Sequence, residues 1–388
     1  MERKVAVIGV GQTEYTSIRK ETRSLVEIAF AAISPALDMA GISLSDIEAT
    51  VYTSVDGFEG VVRPDRTRDA FGQGWNIPVI SVNTGGTAGG SGFKEAVHLV
   101  SAGIYDLVLV YGAPTFGVVV DNQQILNTAM PPLMEKPLGI AGASIGAFFA
   151  ASYIRGYNRT EEDLAEIASK NHKAAAQNPY AHLRKGFSVE EVLASPMVCW
   201  PLRMYEICPN SSGGVAMVLA SEERAKELSD TPVWVRAIDS ISNTFLTGFR
   251  TYKDFDMLEI LAQRVYSKAG IKDPRKEIDV AEVFNPYIVM EAQICEALGF
   301  CEKGHYIDLV HEGVTLLDGA LPVDPSGGTL CTNSGIAASV TRHAEVALQL
   351  MGKAGEIQVK SPEVGLAHAW GGSDGQFHTI AIMSNRSE

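Results

Sequence analysis

Asn83 to Gly103 reads NTGGTAGGSGFKEAVHLVSAG, and Asn333 to Gly355 reads NSGIAASVTRHAEVALQLMGKAG. Each opens on asparagine, a small hydroxyl residue and glycine, continues in small residues, turns amphipathic and ends in an alanine-glycine pair. A helix start made of Gly, Ala and Ser lets a second backbone or a slender ligand come into van der Waals contact, because no side chain intervenes. Its unpaired N–H groups and positive dipole end also suit a carbonyl oxygen or a thioester. Tight packing between two helices explains the same residues equally well.

The surroundings of these stretches repeat too. Asp256 to Gly270 (DMLEILAQRVYSKAG) stands where Ser24 to Gly41 stands earlier, and Val280 to Phe284 stands where Ala49 to Tyr52 does. One internal duplication accounts for all of this. Elsewhere apolar runs alternate with helical patterns. Strands are expected over Val5 to Val10, Ala49 to Thr53 and Asp106 to Tyr111, and a helix over Leu25 to Ala40, stopped by Gly41. That alternation predicts an α/β protein with helix-covered sheets. Two related halves, residues 1–230 and 231–388, should pack face to face with the Gly-rich helix starts near the middle. Residues 112–142 hold Pro, Gly, Asn and Met without a period and read as an insertion covering one face.

Composition narrows the function classes. The 388 residues carry 32 basic and 46 acidic side chains, a formal charge of -14, and no Lys/Arg block, so the chain repels a phosphate backbone and nucleic-acid binding is excluded. The N-terminus runs directly into VAVIGV without the apolar stretch of a signal peptide, which predicts a cytoplasmic location. The weakly polar run Ile140 to Ile154 falls short of the roughly 20 residues that span a bilayer, so no membrane span is expected. Five cysteines with no CxxC spacing argue against a disulfide framework or a structural zinc, and read as buried hydrophobes. His305, Asp308 and His311 lack the further partners of a metal site and read as solvated surface, so no metal is expected. GVGQTE has only two glycines of a dinucleotide fingerprint and no helix pattern directly after them.

Six stretches then occur in a telling order: VAVIGVGQTEY, VNTGGTAGGSGFKEA, PMVCWPLRMYEICPNSSGGVAMVLAS, DVAEVFNPYIVMEAQICEALGFCEKG, PVDPSGGTLCTNSGIAAS and GLAHAWGGSDG. On these the chain resembles the thiolase superfamily, and within it the sterol-carrier-protein thiolase-like branch. The resemblance implies a duplicated five-layer thiolase fold (αβαβα) with two pseudo-equivalent halves. It also implies chemistry on coenzyme A thioesters, with coenzyme A as part of the substrate and no permanently bound cofactor. Dimers through an edge strand follow from it, either a homodimer or a heterodimer with a thiolase homologue, as does a small zinc-ribbon and OB-fold partner protein.

The family's catalytic motifs are altered. Where members carry the nucleophilic cysteine, the resemblance places Gly86, within Gly85-Gly86-Thr87; glycine has nothing to acylate. The oxyanion histidine corresponds to Phe284, the histidine of the next motif to Ser334, and the second cysteine falls in Ala369-Trp370-Gly371-Gly372. Of the five cysteines, Cys331 is the candidate for a displaced nucleophile, although attack geometry tolerates little displacement.

The resemblance further implies a route without it, since some members of this branch have lost the cysteine and work as retro-aldolases on coenzyme A esters, with tyrosine moving the proton. In this sequence Tyr287 is then the candidate acid/base, Asn285 and Ser334 the donors to the thioester oxygen, and His368 the remaining motif histidine. The backbone of Gly85, Gly86, Thr87, Ser326, Gly327 and Gly328 is expected to cradle the thioester. Each residue also has a plain packing role: ring packing for Tyr287, a turn cap for Asn285, a hydrogen-bonded core position for His368. A phenol pKa near 10 makes Tyr287 a poor base unless its surroundings lower it. Two readings stand: a thiolase-like lyase or acyltransferase on acyl-CoA, and a non-catalytic thiolase-like subunit supporting an active partner.

Overall fold

The computed structural model describes residues 3–55, 76–113, 122–140, 142–335, 337–372 and 374–387. The first half begins with strand β1 (Val5–Gln12), helix α1 (Leu25–Ala40), strands β2 (Ala49–Thr53) and β3 (Val79–Val82), helix α2 (Ala88–Ser101) and strand β4 (Leu107–Gly112). Helices α3 (Ala143–Tyr157) and α4 (Glu161–Ala175) follow, then strand β5 (Val215–Ser221). The second half holds β6 (Val233–Ser242), α5 (Asp256–Ala269), β7 (Val280–Glu282), α6 (Val289–Ala297), α7 (Ala337–Met351), β8 (Val364–Gly371) and β9 (Phe377–Ser384).

The strand order is β7-β8-β9-β6-β1-β5-β4-β2-β3. Reading outward from the centre, β1-β5-β4-β2-β3 is matched by β6-β9-β8-β7 and a single parallel bridge from Ala281 to Val323. Pair directions match as well. β2 runs parallel to β3 and β4, as β7 does to Val323 and β8, while the two strands nearest the centre on each side pair antiparallel. The helices α1 and α5, and α2 and α7, fall at the same points of this pattern. The two sheets of a five-layer arrangement are not fully separate here. They touch where β1 meets β6, through the pairs Ala6 with Trp234 and Val7 with Val233.

Side-chain alternation along the strands creates the layers, since successive residues point to opposite faces. Ala6 and Ile8 pack with Ile28 and Ile33 of α1, whereas Val5 and Val7 face the middle with Phe93 of α2 and Val340 of α7. Across the molecule, Ala381 and Met383 of β9 face that middle layer, and Ile380 and Ile382 face α5 through Leu258 and Leu261. The glycines of β1 belong to this packing: a Cβ on Gly9 or Gly11 would run into the carbonyl oxygens of Ala36 and Ala32. In the middle layer a Cβ on Gly89 would strike Val340 and Ser339, and one on Gly90 would lie 2.7 Å from Ala369 Cβ. Small residues at the start of α2 therefore let it cross α7 and β8 at close range.

Of the expected covering excursion, residues 114–121 and 141 lie outside the described residues. The remainder contains a helical turn, Asn122–Asn127, and a 3-10 turn, Lys136–Leu138. Among the described residues no helix is long and apolar enough to cross a membrane. His305 pairs with Asp308 at 2.7 Å and His311 with Glu166, both on the surface.

Candidate active site

Loops at the strand ends and helix starts meet around a cavity of about 410 Å³. Gly86 comes from the turn before α2, Phe284, Pro286 and Tyr287 from the turn after β7, Asn333 and Gly335 from the turn before α7, and Gly371 and Gly372 from the end of β8. Ile207, Cys208 and Asn210 close one side. Gln123 and Leu126 of the excursion, with Gly142 and Ala143 at the start of α3, close another.

Tyr287 is the best-placed of the expected residues. Its backbone is held by a short antiparallel pairing in which Cys208 N–H donates to Pro286 O (2.9 Å) and Ile288 N–H to Glu206 O (3.0 Å). Its ring lies against α3 at Gly146, where a Cβ would fall 2.5 Å from Cδ1 and 2.9 Å from Cδ2. Although Tyr287 is only 9% exposed, its hydroxyl has no hydrogen-bond partner among the described residues. Burial first, then the neighbouring Cys208 and Asp374, drive its pKa well above the ordinary phenol value. Tyr287 is thus protonated at neutral pH. It is suited to donate a hydrogen bond or a proton, and unsuited to the proton-accepting role expected from the sequence.

The other expected residues are placed differently. Gly86 lines the cavity, and a Cβ there would lie 2.7 Å from Trp370 O and 3.2 Å from Gly371 Cα. Gly85 and Thr87 do not line it; Thr87 Oγ1 turns back to donate to Thr84 O at 2.7 Å. Asn285 is fully buried with its amide committed: Nδ2 donates to Glu291 (2.9 Å) and Oδ1 accepts from Leu330 N–H (3.1 Å). Its carboxamide fixes the turn and does not reach the cavity. Ser326, Gly327 and Gly328 form a buried turn over Glu282, where Ser326 N–H and Oγ–H donate to the carboxylate at 3.0 and 2.8 Å. Ser334 is fully buried and lies outside the lining, between Asn333 and Gly335, which belong to it.

His368 stands behind the cavity wall. Its Nδ1 accepts from Phe284 N–H (3.4 Å), which puts its proton on Nε2, facing His378 Nδ1 at 3.1 Å. Burial, then His378, pushes its pKa well below the usual imidazole value, and burial takes that of His378 down to about 3. Both rings are neutral structural supports for the Phe284 turn.

Cys331 is buried beside His172, with Sγ 3.5 Å from Nδ1, and does not line the cavity. Cys208 does line it, with its sulfur accepting from Asn333 Nδ2 at 3.0 Å. Sequence reasoning placed Cys208 in the core; its adjacency to Tyr287 comes from the strand-like pairing of residues 206–208 with 286–288, which no local pattern announces. Burial pushes this thiol up to about 12. Only about one part in 10⁵ is thiolate at neutral pH, so alkylation of Cys208 is expected to be far slower than that of a free cysteine. A rate equal to that of free cysteine, read by mass spectrometry of the alkylated peptide, contradicts this picture. Cys208 and Tyr287 are the titratable groups among the described lining residues, and both hold their protons.

Residues 251–385 match the family model described as Thiolase C-terminal domain-like. Over 378 residues the chain is 30% identical to an acetyl-CoA acetyltransferase of Methanothermobacter thermautotrophicus, covering 96% of this chain and 97% of that one. The chain belongs to the thiolase superfamily. Another superfamily relative, the benzoylsuccinyl-CoA thiolase subunit BbsB of Thauera aromatica, is 29% identical over 375 residues, with 96% of each chain covered. The thiolase fold is also seen in the solved structure of the Ltp2-ChsH2(DUF35) aldolase, which superposes with a TM-score of 0.84 at 24% identity over 99% of this chain and 98% of that one. In thiolase terms, the cavity lies where both Gly-rich helix starts and the turns after β7 and β8 converge.

Proposed function

We propose that this thiolase-superfamily protein binds a coenzyme A thioester and makes or breaks a carbon-carbon bond next to the thioester by retro-aldol-type chemistry, without a cysteine acyl-enzyme. The observation that carries this reading is the buried, unpartnered Tyr287 hydroxyl at the cavity wall, which stays protonated and can donate to a carbonyl or enolate oxygen as charge develops there. Glycine at position 86, against the Trp370 carbonyl, and a Cys208 thiol held protonated leave no sulfur nucleophile at the wall. A cavity of this size suits a thioester with a short or branched acyl group. The names of the relatives agree with acyl-CoA as the ligand class and with either an acyltransferase or an aldolase as the activity.

A partner subunit forms part of the proposal, supported by the subunit and complex names of the relatives. Beside the excursion, Leu133, Met134, Leu138 and Phe249 are 65% or more exposed, on two loops joined by Thr247 N–H donating to Glu135 (2.9 Å). The second reading, a non-catalytic subunit serving an active homologue, is favoured by one fact: no proton acceptor stands among the described lining residues.

Incubation with a β-hydroxyacyl-CoA, with coenzyme A ester and carbonyl products followed by chromatography, separates the two. On the lyase reading Tyr287→Phe lowers turnover by about 10² to 10⁴-fold, the usual range for a positioned proton-transfer group, while ligand binding persists. Full activity in that variant removes Tyr287 from the mechanism. Coenzyme A ester binding with no turnover by the wild-type chain leaves the subunit reading.

A further inference from the structure

Part of the cavity wall that holds Tyr287 is aromatic. Phe284 and Trp370 both line the cavity, and their rings lie nearly parallel, with planes 22° apart and centroids 6.3 Å from each other. Carbon atoms in contact sit about 3.5–4.0 Å apart, so two fully overlapping rings would bring their centroids to nearly that distance. At 6.3 Å the faces do not cover each other, and flat apolar surface is left for a third ring. Neither side chain is loose. Phe284 is 4% exposed, its N–H donates to His368 Nδ1 at 3.4 Å, and the next residue, Asn285, is clamped between Glu291 and Leu330. Trp370 pairs with His378 of β9, and its indole lies over Gly375, where a Cβ would fall 3.2 Å from both Cδ1 and Cε2. A surface fixed before its ligand arrives loses little freedom on binding.

We propose that Phe284 and Trp370 select an acyl group bearing an aromatic ring, so that the substrate is the coenzyme A thioester of an aryl-substituted β-hydroxy acid. The assignment rests on the thioester-binding reading above, and the β-hydroxyl on its lyase form. Cleavage of such a substrate consumes nothing else. The O–H and Cα–Cβ bonds break, a carbonyl bond forms on the departing aryl aldehyde or ketone, and the proton released by the hydroxyl equals the one Cα gains in the shortened coenzyme A ester.

The position of the wall favours the acyl group over the adenine of coenzyme A as its occupant. Trp370 O stands 2.7 Å from where a Cβ would be at Gly86, beside the Gly-rich start of α2 where the reacting end of the thioester belongs. Adenine arrives with phosphates, and among the described lining residues there is no lysine or arginine to meet them. A flexible alkyl chain is the weaker competitor for the same wall. It loses rotamer freedom when ordered against a flat surface, whereas a ring is already flat and adds the face and edge attraction of aromatic pairs.

The test is titration calorimetry of the whole chain with phenylpropanoyl-CoA, cyclohexylpropanoyl-CoA and free coenzyme A. The two esters share a carbon skeleton and lack the β-hydroxyl, so neither is cleaved and their ratio reads the flat aromatic ring apart from apolar area. The wild type is expected to bind the phenyl ester about fivefold more tightly than the cyclohexyl ester. Phe284→Leu should bring that ratio close to 1, and Trp370→Leu should do the same should the first variant fail to fold. Equal or tighter binding of the cyclohexyl ester by the wild type, or an undiminished ratio in a folded Phe284→Leu, overturns the proposal. So does an equal loss of affinity for free coenzyme A in that variant, which would put adenine on the wall. Failure of the readings beneath it looks different. No binding of any of the three ligands removes the thioester reading and this proposal with it. A phenyl preference without cleavage of β-hydroxy-β-phenylpropanoyl-CoA defeats the lyase reading and leaves the selection of an aryl group standing.

Discussion

On the proposed lyase reading, Gly146→Ala should remove most of the turnover while leaving the chain folded. Position 146 lies in the first turn of α3, on the face against the Tyr287 ring, and the added methyl would sit 2.5 Å from Cδ1 and 2.9 Å from Cδ2. The ring cannot retreat freely, because residues 286–288 are tied to 206–208 by two backbone hydrogen bonds. Overpacking of this kind costs about 1–3 kcal/mol, and alanine returns about 0.5–1 kcal/mol of helix propensity relative to glycine, so the net loss of stability is small. The geometric effect is larger. A displaced phenol loses alignment with the developing oxyanion, and misplacement of about 1 Å lowers turnover about 100-fold. Thermal melts and turnover measured together distinguish the two effects. In a Tyr287→Ala background the clash is gone, so Gly146→Ala should become neutral or stabilising, a coupling that a double-mutant cycle reads directly. Equal destabilisation by Gly146→Ala in both backgrounds would sink the explanation.

How far the sequence disclosed these features depends on whether each is set locally. Ala49–Thr53 and Leu25–Ala40 have the bounds that periodicity suggests, and Gly41 caps α1 at φ 67°. Thr160 caps α4 locally, its side chain accepting from Asp163 N–H three residues on. Helix α3 starts at Ala143, directly after Gly142, whose positive φ (70°) glycine adopts without strain. In α7 the described residues are buried on every side, including Arg342, His343 and Glu345, so periodicity there misjudges which faces meet solvent. Buried charges are settled by partners far away in the chain, as Lys170 is for Glu291 and Glu282 is for Arg342. The same distance effect explains the site. Asn285 and Tyr287 are two residues apart, yet one carboxamide is captured by Glu291 and Leu330 while the neighbouring phenol stays free at the wall. Asp374 lies in a quoted motif, yet its left-handed turn and the bond its carbonyl oxygen accepts from Arg250, 124 residues away, are not set by that motif.

Arg342→Met is expected to produce the largest loss of stability. Arg342 is 1% exposed, and its Nη1 donates to Glu282 and, at 2.8 Å, to Ser326 Oγ. Glu282 is itself wholly buried and anchors the Ser326 turn. Removing the guanidinium leaves that carboxylate without a counter-charge, close to Asp324 and Glu345, whose pKa values are both raised by burial first and Glu282 second, with Arg342 opposing. Breaking one side of such a pair costs about 3–5 kcal/mol, a large share of the roughly 5–15 kcal/mol that holds a domain folded. The denaturant midpoint should fall accordingly. Glu282→Leu combined with Arg342→Met should recover much of it, since apolar replacement of both members of a buried pair is often near neutral. The pH dependence has a definite sign. The Glu345 carboxyl is taken up to about 7, so its stabilising contribution is complete below its ordinary value of 4.5 and is lost as pH rises through 7. Without Arg342 that folded-state pKa moves higher still, so the deficit of the variant should widen as pH rises above about 7. A deficit constant across that range would show that Arg342 acts through packing of its side chain alone and not through its charge.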